Sequence, residues 1–247
     1  MFSAFNFWDI ILIVVVTVQA GILTYISDPR KKSLVLVFPF PFTIATISTG
    51  SVIDATNVVG LVNLAIFTFG VWFFYENSKA NIALLIFLFA LIYCALAIAG
   101  ARILPKSDLA FWVSILFVVI FALLVAIFSV CPEDKPYRTD LPLLIKIPII
   151  LVVISTLVFL KNHLKGFMTV FPMVGVIAVY ESRFMLKSVC RQLPVLMVCL
   201  VSMMMTLKIM MKFTGLFIPF VCVWIAFLFV IKVTSSFLWE NLCLKRL

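Results

Sequence analysis

An octapeptide pattern occurs twice in the chain and decides how its fold is organised. Lys32–Pro39 reads KSLVLVFP and Lys165–Pro172 reads KGFMTVFP, so Lys, Val, Phe and Pro recur 133 positions apart. Each copy follows a long apolar run and a polar hinge, and each opens the next apolar run. The shared context predicts an internal repeat, in which one structural unit occurs twice.

The composition around the two copies is that of a membrane protein. Of the 247 residues, 65% are hydrophobic and 12% are charged, and the mean hydropathy is +1.29. Soluble domains are about half apolar and a quarter charged, so soluble and disordered classes are excluded. Six cysteines without a C-x-x-C pair exclude a disulfide scaffold and a zinc module. The net charge of +9 is spread over loops, which favours contact with anionic lipid head groups over nucleic acid.

Apolar runs between charged or Pro- and Gly-containing loops predict an all-α polytopic membrane protein. A spanning helix needs about 20 mostly apolar residues. Nine segments meet this description, at about 8–27, 33–51, 57–75, 80–101, 109–130, 141–160, 166–181, 188–208 and 213–233.

The repeat and the segment count together predict two units of opposite orientation. A first four-helix unit occupies residues 1–104, a linker helix and polar loop occupy 105–137, and a second four-helix unit occupies 138–247. Five helices separate the start of one unit from the start of the next, so the second enters the membrane from the other side. Inverted repeats of this kind are typical of secondary transporters. Loop charges weakly favour the N-terminus outside and the C-terminus inside.

The second unit also resembles a known family. Residues 161–183 read KNHLKGFMTVFPMVGVIAVYESR, which is similar to the signature of the GlpM-like family of small four-helix bacterial inner-membrane proteins. The similarity continues more loosely through Arg191, Pro194 and Trp224. It implies a four-helix unit and a bacterial inner-membrane location. It implies no mechanism, because no activity is established for that family.

Three lysines are candidates for binding an anionic solute. Lys32 and Lys165 begin the repeated segments, where a helix N-terminus and an ammonium group together attract a carboxylate or phosphate. The alternative is that each lysine extends to the interface and sets the depth of its helix. Lys146 lies further inside an apolar run, where an ionisable residue marks a functional site or again extends to a head group.

Two prolines and two threonines are further candidates in or directly after the two repeated segments. Pro39 and Pro172 occupy matching positions, and paired interruptions of this kind indicate a transport site near the midplane. A packing kink is the alternative. Thr43 and Thr46 share a helix face behind Pro39 and are predicted to line a polar path, unless their hydroxyls bond to their own helix.

The remaining charged candidates lie at the ends of the segments. Asp54 and Glu181 follow the two proline-containing helices and are candidates for proton coupling, with a solvated loop carboxylate as the alternative. Arg183, Lys187 and Arg191 recur at four-residue spacing, which predicts a basic helix face that meets anionic lipid.

Enzyme classes are not indicated. The sequence has no G-x-S-x-G, no phosphate-binding glycine loop and no H-E-x-x-H, and His163 is the only histidine. We therefore predict no catalytic residues, no metal site and no cofactor. The predicted function is a membrane transporter or channel for a small anionic solute, which passes between two inverted repeats. The alternative is a non-transporting assembly or scaffold subunit that binds lipid, a membrane partner protein or a second copy of itself.

Overall fold

A computed structural model gives the arrangement of the chain. The structure describes residues 7–50, 52–78, 80–128, 147–148, 151–152, 155, 164–213 and 217–236. Those residues form helices and short connections, and no strand occurs among them. The prediction of an all-helical protein is therefore confirmed for the described part of the chain.

Five helices are long and apolar enough to cross a membrane, so the chain is a multi-pass membrane protein. Their apolar runs carry few charges, and a helix is the structure that satisfies backbone hydrogen bonds within one such run. The five are α1 (Phe7–Tyr25), α4 (Ala55–Asn77), α5 (Ile82–Ile103), α6 (Asp108–Phe128) and α8 (Leu186–Met210).

Two of the predicted spans, 33–51 and 166–181, are interrupted at the prolines that the sequence predicts to interrupt or kink them. The first is divided at Phe38 and Pro39, and the second at Phe171 and Pro172. Proline lacks the N–H that would continue the helical hydrogen bonds, and its ring crowds the preceding turn. Both segments therefore leave the helix at the repeated Phe-Pro pair. The pieces are α2 (Pro29–Val37), α3 (Phe40–Thr49), a 3₁₀ helix (Lys165–Val170) and α7 (Met173–Glu181).

The remaining predicted spans differ in how much of them is described. The ninth corresponds to α9 (Phe217–Ser236), which has the apolar stretch Ile218–Thr234. The sixth, 141–160, lies mostly outside the described residues.

Carbonyl groups next to the two breaks are bonded by side chains from elsewhere in the chain. Pro39 has no N–H for the carbonyl of Val35, and Gln19 Nε2 donates to that oxygen at 2.9 Å and to the Phe38 carbonyl at 3.1 Å. At the second break, the hydroxyl of Tyr93 donates to the Phe167 carbonyl at 2.9 Å. Since an unpaired buried carbonyl costs free energy comparable to a lost hydrogen bond, these contacts stabilise the interruptions.

Each break also packs against an aromatic residue from the far half of the chain. The rings of Phe171 and Tyr93 meet edge to face with centroids 4.9 Å apart. The rings of Phe38 and Phe227 meet in the same manner at 5.7 Å. Edge-to-face pairs at these distances are favourable beyond the area they bury. The second interrupted segment thus packs on α5, and the first packs on α9.

Gly60 and Gly166 allow the 3₁₀ helix to lie directly against α4. A Cβ on Gly60 would overlap the side chain of Val170, and a Cβ on Gly166 would overlap the hydroxyl of Thr56. The absence of a side chain at both positions therefore sets the distance between these two elements.

Polar contacts between helix ends define two ends of the bundle. At the first, which we call the Lys32 end, the amine of Lys32 donates to the Glu181 carbonyl at 3.0 Å. After the turn that follows Glu181, Lys187 at the start of α8 forms an ion pair with Glu76 at 3.3 Å. The start of α2, the last turn of α4, the end of α7 and the start of α8 therefore meet at the Lys32 end.

The opposite group of contacts forms what we call the Asp108 end. Lys208 Nζ lies 2.9 Å from a carboxylate oxygen of Asp108 and donates to the Ile53 carbonyl at 3.1 Å. Lys212 reaches the second Asp108 oxygen at 3.4 Å. The start of α6, the last turns of α8 and the chain that enters α4 therefore meet at the Asp108 end.

Candidate functional site

The two interrupted segments face each other across a partly open cavity. Its volume is about 80 Å³, and the repeated Phe-Pro pairs of both segments contribute to its wall. Pro39 and Pro172, singled out by their matching positions in the sequence, thus lie at the same cavity. A space of about 10–15 Å³ by this measure holds one water, so the cavity accommodates several waters or one small solute.

Two helices begin at this cavity without a side-chain cap. Helices α3 and α7 have Pro39 and Pro172 as their N-cap residues, and no side chain accepts a hydrogen bond at either cap. The first N–H groups of a helix lack partners within it, and the helix dipole is positive there. The cavity therefore lies at two positive helix ends, an environment that favours an anion.

Three polar side chains interrupt an otherwise apolar wall. They are Thr68 of α4, Thr169 of the 3₁₀ helix and Gln192 of α8, and all three are buried. Thr169 Oγ1 donates to the Gly166 carbonyl at 2.8 Å and accepts from Asn57 Nδ2 at 3.0 Å. A few fixed polar groups in an apolar cavity are typical of small-ligand sites, where they orient the ligand.

Comparison with known proteins adds no assignment to this geometry. No family model, curated protein or solved structure matches the chain. The resemblance of residues 161–183 to the GlpM-like family therefore stays a prediction. The functional argument rests on the arrangement of the side chains and helix ends.

Lys32 has a different role from the one predicted from its position. Its side chain is 3% exposed, and its amine donates to the carbonyl of Glu181, the last residue of α7. A cation at a helix C-terminus is favourable because the dipole is negative there. Lys32 is therefore bonded within the bundle and does not line the 80 Å³ cavity. The side chain of Lys165 and the whole of Lys146 lie outside the described residues.

The predicted polar path along α3 is wrong. Thr43 Oγ1 donates to the Pro39 carbonyl at 3.0 Å, and Thr46 Oγ1 donates to the Phe42 carbonyl at 2.7 Å. Both hydroxyls are therefore bonded within their own helix, and neither threonine lines the cavity.

The two predicted coupling carboxylates differ in their surroundings. Asp54 is the N-cap of α4, where its side chain accepts from the Thr56 N–H at 2.8 Å, so capping accounts for it. Glu181 is 3% exposed at the end of α7, which makes it a buried carboxylate and excludes the alternative of a solvated loop residue.

The predicted basic helix face does not form. Arg183 lies in the turn before α8, where its guanidinium stands 5.3 Å from the Tyr180 ring centroid. Lys187 is half exposed and paired with Glu76. Arg191 is 3% exposed, and its Nη1 donates to the Ala126 carbonyl at 3.3 Å. The prediction that Arg191 faces lipid is wrong, because α6 packs over that side of α8.

Uncharged polar residues that were not predicted from the sequence connect distant segments. Asn57 is fully buried at the start of α4 and donates to the Gly166 carbonyl at 3.2 Å, across 109 residues of sequence. Gln19 and Tyr93 bond the carbonyls at the breaks, and Gln192 lines the cavity. An amide isolated within an apolar run was the available signal, since a buried amide requires partners. Among the described residues, no group of His, Cys, Asp and Glu is arranged to hold a metal ion.

Proposed function

We propose that this protein is a transporter or channel for a small anionic solute, which passes between two inverted four-helix units at the 80 Å³ cavity. The observation that carries the proposal is the meeting of two helix N-termini, both without side-chain caps, at one cavity. Broken helices whose positive ends point at an anionic substrate are the usual construction of transport sites in secondary transporters.

The directions of the two interrupted segments support the inverted arrangement. The first segment starts at the Lys32 end and finishes near Ser48, whose hydroxyl donates to Asp9 at the start of α1. The second starts beside Asn57, at the Asp108 end, and finishes with Glu181 at the Lys32 end. The two segments therefore cross the bundle in opposite directions.

The connection between the units fits nine crossings. Helix α6 starts at the Asp108 end and finishes at the Lys32 end, where Ala126 accepts from Arg191. The second interrupted segment begins again at the Asp108 end. The span predicted from the sequence at 141–160, which lies mostly outside the described residues, would bring the chain back to that end.

The packing of the helices supports a two-fold relation between the units. Helix α4 packs on α5 and on the 3₁₀ helix, while α8 packs on α9 and on α2. Helix α3 contacts the 3₁₀ helix, and α7 contacts α2. Exchange of the first unit for the second converts these particular contacts into one another, in keeping with a repeat related by a two-fold axis in the membrane plane.

The chemistry of the cavity favours a small anion. Two positive helix ends act on its contents, and its wall contains no carboxylate among the described residues. Gln192 supplies a buried polar group, whereas the hydroxyls of Thr68 and Thr169 already donate to the carbonyls of Leu64 and Gly166. The apolar remainder keeps the space small and the dielectric low, which strengthens both helix-end fields. Glu181, buried in contact with Lys32 between the two units, stays the predicted carboxylate for coupling to protons.

The direct test is anion flux through purified protein in liposomes. Vesicles loaded with fluoride, chloride, nitrate, formate or phosphate are diluted into a non-permeant buffer, and valinomycin with potassium sets the driving voltage. We expect saturable efflux of at least one of these anions above that of protein-free vesicles. Absence of flux for every anion, from protein that is monodisperse and helical by circular dichroism, would favour the scaffold alternative.

The inverted arrangement makes a separate prediction about the two sides of the membrane. Val52 and Phe184 follow the two interrupted segments, and their side chains are 71% and 56% exposed. In a background without the six native cysteines, Val52→Cys and Phe184→Cys should react with a membrane-impermeant maleimide from opposite sides. Asn77→Cys serves as the reference for the side of Phe184. Labelling of Val52→Cys and Phe184→Cys from one side would contradict the inverted repeat and leave the flux test unaffected.

A further inference from the structure

The residues that line the 80 Å³ cavity are mostly apolar, and this restricts the kind of anion that the cavity accepts. Phe38, Phe42 and Phe171 line it together with aliphatic residues of α2, α4, α7 and α8. Contact with such a wall is favourable for apolar groups and offers nothing to a hydration shell. A solute that fits this cavity therefore has an apolar part as well as a charge.

Hydrogen-bond donors from side chains are scarce in the wall. The hydroxyl of Thr68 donates to the Leu64 carbonyl at 2.9 Å. The hydroxyl of Thr169 donates to the Gly166 carbonyl at 2.8 Å, so neither hydrogen is available to a solute. Among the described residues, no lysine or arginine lines the cavity. A multiply charged anion such as phosphate would therefore lose its hydration here without sufficient replacement.

The positive field at the cavity has the strength that one negative charge requires. A helix N-terminus is equivalent to about half an elementary charge, so the starts of α3 and α7 together offset about one. Phe42, Val174 and Gly175 lie in these first turns and line the cavity. Pro41, also in the first turn of α3, has no N–H. These few backbone donors suit a group with one charge and two acceptor oxygens, which is a carboxylate.

The volume of the cavity limits the length of the apolar part. Since about 10–15 Å³ by this measure holds one water, 80 Å³ holds about five to eight groups of that size. A carboxylate takes the space nearest the two helix ends, and a chain of a few methylene groups fills the remainder. Propionate and butyrate have this size and this division into a charged end and an apolar end.

We propose that the solute of this cavity is a short-chain aliphatic monocarboxylate. Its carboxylate lies at the first turns of α3 and α7, and its alkyl chain lies against the aromatic and aliphatic wall. The inference rests on the proposed function, because it takes the cavity as the solute site. A halide would leave the apolar wall without a contact, and a dicarboxylate would place a second charge against it.

The test is a titration of purified protein in detergent with sodium formate, acetate, propionate, butyrate and hexanoate at constant ionic strength. The rise in the midpoint of thermal unfolding reports binding. Each methylene that enters the cavity should tighten binding about fourfold, and the increase should stop after butyrate. Propionamide, which has the size of propionate without its charge, and malonate, which has a second carboxylate, should both bind at least tenfold more weakly than propionate.

Val174 and Val176 of α7 provide matched variants, because only the first lines the cavity. Val174→Ala enlarges the cavity and should allow the increase in affinity to continue beyond butyrate, whereas Val176→Ala should leave the series unchanged. Affinities that do not depend on chain length, equal binding of propionamide and propionate, or an unchanged series in folded Val174→Ala would each overturn the proposal.

Flux measurements on the same anions separate this inference from the transport proposal. Flux of halides or nitrate without binding of any carboxylate would overturn the inference and leave transport intact. Graded binding of the carboxylates without flux of any anion in liposomes would support the ligand assignment and overturn transport. Saturable flux of propionate and butyrate that Val174→Phe abolishes would support both.

Discussion

Replacing Val174 with phenylalanine is expected to abolish anion flux while leaving the protein folded. Val174 lies in the first turn of α7, is buried, and contributes to the wall of the 80 Å³ cavity. The larger ring has this cavity to extend into, so it displaces the solute. An increase in the barrier of only about 1.4 kcal/mol gives a tenfold slower flux, and an occluded path should exceed this.

Val176, two residues further along α7, offers a matched control. Val176 is on the same helix but is half-buried and does not line the cavity, so Val176→Phe should retain flux in the same liposomes. Overpacking of a full core costs about 1–3 kcal/mol, and the empty volume beside Val174 reduces this cost. Val174→Ala, which enlarges the cavity, should conduct at least as fast as the unmodified protein. Normal flux through folded Val174→Phe would place the path elsewhere.

The second large effect is expected from Asn57→Leu, on stability. The Asn57 amide donates to the Gly166 carbonyl and to Thr169 Oγ1, and its oxygen accepts from the Asp54 N–H at 2.9 Å. Leucine has a similar volume but can make none of these bonds, so buried polar atoms on two segments lose partners. We expect a loss of about 2–4 kcal/mol in the free energy of unfolding, measured by denaturant titration in detergent.

Asn77→Leu is the control for the chemical change itself. Asn77 is at the other end of the same helix and exposed, and its amide donates within its own last turn, to the Phe73 carbonyl at 2.7 Å. Its replacement should change the free energy of unfolding by less than about 0.5 kcal/mol. If both variants lost the same stability, the contact between α4 and the 3₁₀ helix would not be a significant part of the folded state.

The long helices were predictable because length and apolar composition determine them. The run predicted at 80–101 forms a helix at Ile82–Ile103, and the one predicted at 109–130 forms a helix at Asp108–Phe128. The sequence predicts an interruption or a kink at Pro39 and Pro172 without deciding between them. Whether a proline bends a helix or ends it depends on the contacts of the neighbouring carbonyls, and here these include bonds from Gln19 and Tyr93, which are distant in sequence.

The site was predictable in part, for a related reason. The matching positions of Pro39 and Pro172 in the repeat predicted a shared site, and the two prolines lie at one cavity. Helical spacing placed Thr43 and Thr46 on a common face, but spacing does not determine where a hydroxyl donates its hydrogen bond. Arg191 was misplaced because the sequence of α8 contains no information about α6 covering that side of the helix.

Helix α6 is attached to α8 near both of its ends, by Asp108 with Lys208 at one end and by the Ala126 carbonyl with Arg191 at the other. Under the proposed inverted arrangement, this helix lies between two units that need opposite orientations. A single unit encoded alone would have to insert both ways and find its counterpart by diffusion in the bilayer. One polypeptide with α6 built in fixes the stoichiometry of the two orientations at one to one during synthesis.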